Sequence, residues 1–230
     1  MSNELRETVL INDGENNKIV WFDDNGMEIP ITEPVAGLDI IVHGNNNTVR
    51  LGASIKACNS KIEIGDIVAG NDGAFVEVHW TPAFENVNII CKWGKNQYCT
   101  WGRHSTCHGA CLHLVDENCI CRIGNDCQIA SGVQIWCCDG HSILDKNTDE
   151  IINQPRAIII EDHCWLCECA RILKGTHVRT GSILGGGGLA CKDYVETNVI
   201  IAGNPGKIVR RDIVWHRMNN YHLKSNRNKS

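Results

Sequence analysis

The stretch IIIEDHCWLCECARILKGTHVRTGSILGGGGLA, residues 158–190, decides the fold. Its apolar positions recur neither every second residue nor every 3.6, because Ile160, Leu166, Ile172, Val178, Leu184 and Ala190 stand six apart. A second register lies two residues earlier, at Ile158, Cys164, Ala170, Thr176, Ser182 and Gly188, and it takes only small or modest side chains. One large inward aliphatic and one small corner residue per six mark a parallel β-helix, in which each hexapeptide forms a flat side and three close a triangular coil. Upstream, Ile123, Ile129 and Ile135 keep the same step.

Toward the N-terminus the repeat loosens into NNKIVW (16–21), NNTVRL (46–51), NSKIEI (59–64) and NVNIIC (86–91). Each offers Asn as a turn former and then alternating apolar positions, as expected of short strands leaving a corner. Coils are therefore expected from near residue 35 to about 203, giving an irregular N-terminal segment 1–34 and a β-helix domain 35–206. The period breaks at WCCDGHSILDKNTDEIINQPRA (136–157), too polar for a coil interior, so residues 137–157 read as a loop thrown outward from the scaffold. Beyond Gly203-Asn204-Pro205-Gly206 the period ends. Residues 207–230 are expected to form a basic strand, helix and tail, with Ile213, Trp215 and Met218 packing as an end cap.

Composition bounds the function classes. The 230 residues are 43% hydrophobic and 21% charged, the range of an ordinary globular chain, and only 6% are aromatic, so the core must be aliphatic and small. No apolar run reaches the length of a membrane span, and the start MSNELRETVLIND lacks a secretory pattern, so a cytoplasmic protein is expected. In that setting the 14 cysteines are expected to be reduced thiols filling corners. The net charge of −5 conceals an asymmetry: residues 207–230 carry seven Lys/Arg against Asp212. A basic tail on an acidic body points to a local anionic ligand and away from wholesale nucleic-acid binding.

Four motifs in order, DGHSI (139–143), HCWLCECARILKG (163–175), GSILGGGG (181–188) and IAGNPGKIV (201–209), resemble the hexapeptide-repeat acyltransferases. Within them the chain looks most like the sugar O-acetyltransferases, especially those acting on polysialic acid capsules. The resemblance implies an all-β, left-handed parallel β-helix, a homotrimer with active sites between subunits, acetyl-CoA as acyl donor and a carbohydrate acceptor such as a capsular or cell-surface sialic-acid polymer. It places the general base on His141, and an imidazole with pKa near 6.5 suits the removal of a proton from a sugar hydroxyl. Since the CoA thiolate already leaves well, a ternary complex needs no acyl-enzyme. Asp139 is a candidate to bond the ring or the loop backbone. Trp165 falls where the family has a tryptophan beside the thioester and acceptor, and Cys167 with Glu168 replaces the glycine that commonly follows. The cofactor contacts implied are Trp165, Gly186, Lys192, Lys207 and Arg210; the last two lie where positive charge is densest.

Other readings stay open at this point. An amino-sugar N-acetyltransferase would use the same histidine. A γ-type carbonic anhydrase would bind zinc through His108 and His113 with His79 or His43, but that family lacks the DGH loop, tryptophan strand and AGNPGK ending. A non-catalytic scaffold would leave His141 and Trp165 without purpose. A zinc site from His163, Cys164, Cys167 and Cys169 is disfavoured, since alternation and corners point these groups apart, and no metal requirement is expected.

Overall fold

The computed structural model describes residues 7–227, so Lys229 of the basic tail and the first six residues lie outside the described part. Three eight-stranded sheets form the flat faces of a prism, and each coil contributes one strand to each face in turn. The first face begins with Leu10–Asp13 and Leu38–His43 and continues through Ala110–Leu114, Val133–Trp136 and Arg171–Leu173 to Leu189–Ala190. The second carries Lys18–Phe22, Tyr98–Trp101, Ile120–Ile123, Ile158–Ile160 and His177–Val178 among its strands; the third includes Gln128–Ile129, Trp165–Leu166, Ile183–Leu184 and Ile200–Ala202.

Both six-residue registers point inward. Ile160, Leu166, Ile172, Val178, Leu184 and Ala190 are buried, as are Ile158, Cys164, Ala170, Thr176 and Ser182 of the small register. Pairing sets the step: Ile160 lies opposite Val178 and Leu166 opposite Leu184, 18 residues on. The earlier coils are wider, with Leu10 opposite Ile40, Thr48 opposite Phe75 and Tyr98 opposite Ile120. Larger side chains fill them; Phe84 and Trp101 meet edge to face at 5.1 Å inside the lumen.

The corners explain the asparagines of the looser repeat. Asn16, Asn46, Asn59 and Asn86 have φ of 57°, 57°, 47° and 52°. Asparagine tolerates this left-handed conformation better than most residues with a side chain. Neighbouring corners are also laced together, since Asn59 Nδ2 donates to Asn86 Oδ1 at 2.7 Å and Asn46 Nδ2 to Asp72 Oδ1 at 2.8 Å.

Two expectations need correction. The segment 1–34 is not irregular throughout, because Leu10–Asp13 and Lys18–Phe22 pair in parallel with Leu38–His43 and Thr48–Gly52; the solenoid starts a full coil before residue 35. A coil with long corners still pairs its strands with those of the next coil, without a six-residue period to betray it. The tail, moreover, is not an end cap. After Lys207–Arg210 pairs antiparallel with Ile200–Ala202, the chain runs back along the third face before the helix Asn220–Arg227. Trp215 is buried against His163, stacked at 4.2 Å, and its Nε1 donates to the His163 carbonyl at 2.9 Å. Arg217 holds the strap down through Asp126 Oδ1 at 2.9 Å, Thr106 Oγ1 at 2.8 Å and the Cys127 carbonyl at 2.8 Å. Met218 is exposed and Ile213 only half-buried.

Antiparallel Glu28–Pro30 and Lys207–Arg210 close the outer edges of the second and third sheets, at opposite ends of the prism. Edge strands left bare would offer unpaired backbone groups to other chains.

Candidate active site

The excursion leaves the solenoid between Val133–Trp136 on the first face and Ile158–Ile160 on the second. Cys137 and Cys138 are still buried, so the polar loop begins at Asp139. Its tip folds on itself: the Asp145 carboxylate accepts from the Asn147 and Thr148 N–H groups at 2.8 and 3.0 Å, and Asp145 N–H reaches the Glu150 carbonyl at 2.9 Å. Such an Asx turn orders a loop without help from a core.

At the root, one side chain ties the DGH segment together. Asn153 Nδ2 donates to the His141 carbonyl and to Asp139 Oδ2, both at 2.8 Å, and its Oδ1 accepts from Ile143 N–H at 2.7 Å. Lys174, from the following coil, donates to Asp139 Oδ2 at 2.5 Å and to the Asn153 carbonyl at 2.7 Å. Partial burial alone would raise the Asp139 carboxyl; the Lys174 ammonium and the Asn153 amide outweigh it, and the group stays below the usual carboxylate range. Asp139 therefore bonds neither the His141 ring nor the loop backbone. The His141 imidazole is exposed, without a hydrogen bond to any described residue, at a groove of about 160 Å³ shared with Asp139, Ser142 and Asn153.

Trp165 sits one coil on, on the third face, with its ring centroid 5.8 Å from that of Trp215. Its Nε1 is buried without a hydrogen-bond partner among the described residues, a costly state for an N–H unless a ligand or water takes the bond. Within one chain His141 and Trp165 occupy different parts of the prism, a corner beside the first face and the surface of the third. The remaining candidates gather near the C-terminal end. Gly186 is exposed at the corner before Leu189, where an added Cβ would meet only the Glu168 carbonyl at 3.5 Å, and the next residue, Gly187, has φ of 63° with open space around it. Lys207 and Arg210 are exposed on the edge strand, while Lys192 lies over the Tyr194 ring at 5.4 Å. Arg211 and Arg217, by contrast, are taken up by Glu196 and Asp126.

Sequence reasoning missed Asn153 and Lys174. Neither belongs to a period, and the only signal was an asparagine among the turn formers of the loop. The zinc alternatives find no support in the geometry. His108 bonds Glu85 at 2.9 Å, His79 bonds Glu77 at 3.0 Å, and His113 stacks on Trp136. Cys164 points into the core while Cys169 is exposed. Among the described residues no three His, Cys, Asp or Glu converge as a metal set, and no helix is long and apolar enough to cross a membrane.

No protein-family model matches the chain. It is 30% identical over 194 residues to a polysialic acid O-acetyltransferase of Neisseria meningitidis, covering 84% of this chain and 86% of that protein. It is 35% identical over 109 residues to a polysialic acid O-acetyltransferase of Escherichia coli O1:K1 / APEC, which spans 47% of this chain but only 35% of that relative. Among solved structures, the polySia-specific acetyltransferase NeuO matches with a TM-score of 0.76 and 26% identity over 96% of this chain and 98% of that one. The polysialic acid O-acetyltransferase OatWY shares the fold, with a TM-score of 0.66 and 24% identity over 94% and 99% of the two chains. The solenoid is accordingly a left-handed parallel β-helix, and the chain belongs to the polysialic acid O-acetyltransferase family of hexapeptide-repeat acyltransferases.

Proposed function

We propose that this protein transfers the acetyl group of acetyl-CoA to a hydroxyl of a sialic-acid polymer, a capsular or cell-surface glycan. The kinship with polysialic acid O-acetyltransferases supports the reaction class and the acceptor. The observation that carries the mechanism is the tethering of the DGH segment by Asn153 and Lys174, which leaves the His141 ring unengaged and exposed. A ring nitrogen of His141 takes the proton of the sugar hydroxyl as its oxygen attacks the thioester carbon. The C–S bond breaks, the CoA thiolate departs, and the imidazolium returns the proton to it.

His141 and Trp165 of one chain lie apart, so the cleft is assigned to the junction of two subunits of a homotrimer, one supplying His141 and the next Trp165. The unpartnered Trp165 Nε1 is then a donor available to substrate. Acetyl-CoA suits the C-terminal end: the open corner at Gly186 and Gly187 admits a chain close to the backbone, and Lys192, Lys207 and Arg210 face its phosphates. The protein acts in the cytoplasm, where acetyl-CoA is supplied.

The test is turnover of acetyl-CoA across sialic-acid polymers, simple hexosides and amino-sugars, with the product identified by mass spectrometry. His141→Ala should lower the rate by about 10² to 10⁴ with acetyl-CoA affinity nearly unchanged. Full turnover in that variant refutes the base; acetyl amide formed on amino-sugars alone refutes the acceptor.

A further inference from the structure

Beside the DGH loop, the outer surface of the first face holds a groove of about 690 Å³ that is distinct from the small groove at His141. It is lined by Gln134, Trp136, Asp139, Arg171 and Leu173, among others. Its size falls in the range of roughly 300–1,000 Å³ usual for small-molecule sites.

Strand pairing sets its layout. Gln134 lies opposite Arg171 and Trp136 opposite Leu173 in the next coil, so Arg171 and Trp136 are diagonal neighbours on one surface. In the preceding coil His113 lies opposite Trp136, and the two rings stack at 3.7 Å with 16° between their planes. Burial lowers the pKa of the His113 imidazole, which favours its neutral, stacked form. Trp136 lines the groove and His113 does not, so the indole is braced from behind and turns its other side to the opening. Arg171 is exposed, and its guanidinium has no ion pair or hydrogen bond with a described residue. Arg50, Arg103, Arg179, Arg211 and Arg217, by contrast, are all paired with carboxylates.

We propose that this groove is an acceptor subsite that holds one carboxylated sugar residue, with the Arg171 guanidinium paired to the carboxylate and the Trp136 indole against the ring. The proposal rests on the acceptor proposed above. Every residue of a sialic-acid polymer carries a carboxylate, and a planar guanidinium can take it with two parallel hydrogen bonds. The C–H surface of a pyranose is apolar, and an indole already stacked on one side loses little freedom when it covers that surface. Asp139 borders both this groove and the one at His141, so a polymer seated here runs on toward the imidazole. Arg171 and Trp136 set specificity and do not touch the bond that forms.

The experiment compares wild type with Arg171→Gln, Arg171→Lys, Trp136→Ala and a control, Arg122→Gln, on the second face. Each is assayed with native polysialic acid and with the same polymer after reduction of its carboxyls, and acetyl-CoA binding is measured as a check on folding. Arg171→Gln should raise KM for the native polymer about tenfold to a hundredfold, with kcat and acetyl-CoA affinity nearly unchanged. Arg171→Lys should recover only part of the loss, Trp136→Ala should weaken both polymers, and Arg122→Gln should match wild type. Wild type should prefer the native polymer, and Arg171→Gln should treat the two alike. If wild type acetylates polysialic acid but Arg171→Gln keeps its KM and its preference, the subsite is refuted while the activity stands. If wild type neither binds nor acetylates the polymer, the acceptor and the subsite fall together.

Discussion

The side-chain amide of Asn153 donates to the carbonyl oxygen of His141 at 2.8 Å, although the two stand at opposite ends of the excursion. The same amide bonds Asp139 and receives the Ile143 N–H, so one residue closes the loop around the histidine. Asn153→Ala should therefore act on the chemistry more than on stability. Three bonds to an exposed loop are worth about 1 kcal/mol each. The variant should lose roughly ten- to a hundredfold in kcat, with acetyl-CoA affinity preserved and the fold intact by circular dichroism. An unchanged kcat would show that the loop holds its shape without this residue.

Lys207 and Arg210 are the exposed cations of the edge strand, and the proposed CoA contacts depend on them. Replacing both with Gln should raise KM for acetyl-CoA by about tenfold, with a smaller effect at high salt, because exposed charges are screened. The kcat should hold. A KM unaffected at low ionic strength would move the phosphates elsewhere.

Trp215 ties the C-terminal strap to the third face by stacking on His163 and bonding its carbonyl. Trp215→Ala should release the strap locally, since the coils beneath it keep their own ladders. Loss of a buried tryptophan costs about 3 kcal/mol, roughly a hundredfold in the open population. Limited trypsin digestion should then cut near Arg217 much faster than in wild type, while the midpoint of global thermal unfolding moves little.

Glu161 links two coils through Thr180 N–H at 2.9 Å, the Thr180 hydroxyl at 2.8 Å, Arg179 at 3.2 Å and His177 at 2.7 Å. Burial would raise its carboxyl, but these bonds prevail and hold its pKa at about 2, against an ordinary 4.5. Because the folded-state value is depressed, its contribution is complete above pH 4.5 and is lost as pH falls toward 2. Glu161→Gln should melt about 2–4 °C lower at pH 7, equivalent to about 1 kcal/mol, and the gap from wild type should close between pH 4.5 and 2. Melting curves across that range check both halves of the statement.

By itself the sequence determined the late coils and the existence of the excursion. From Ile158 onward each strand must bury one large and one small residue in a lumen of constant width, so the pattern repeats as the geometry does. The DGH segment was legible because polar residues cannot continue such a wall. The tertiary structure decided what depends on distance in space. The first coil, Leu10 to Ile40, escaped notice because its long corners remove the six-residue step while its strands still pair. Lys174 reaches Asp139 across 35 positions, and Arg217 reaches Asp126 across 91, because stacking brings successive coils side by side whatever lies between them in the chain. The groove of Trp136 and Arg171 has the same origin: the two lie in consecutive coils, and their adjacency is a property of register that no local window contains.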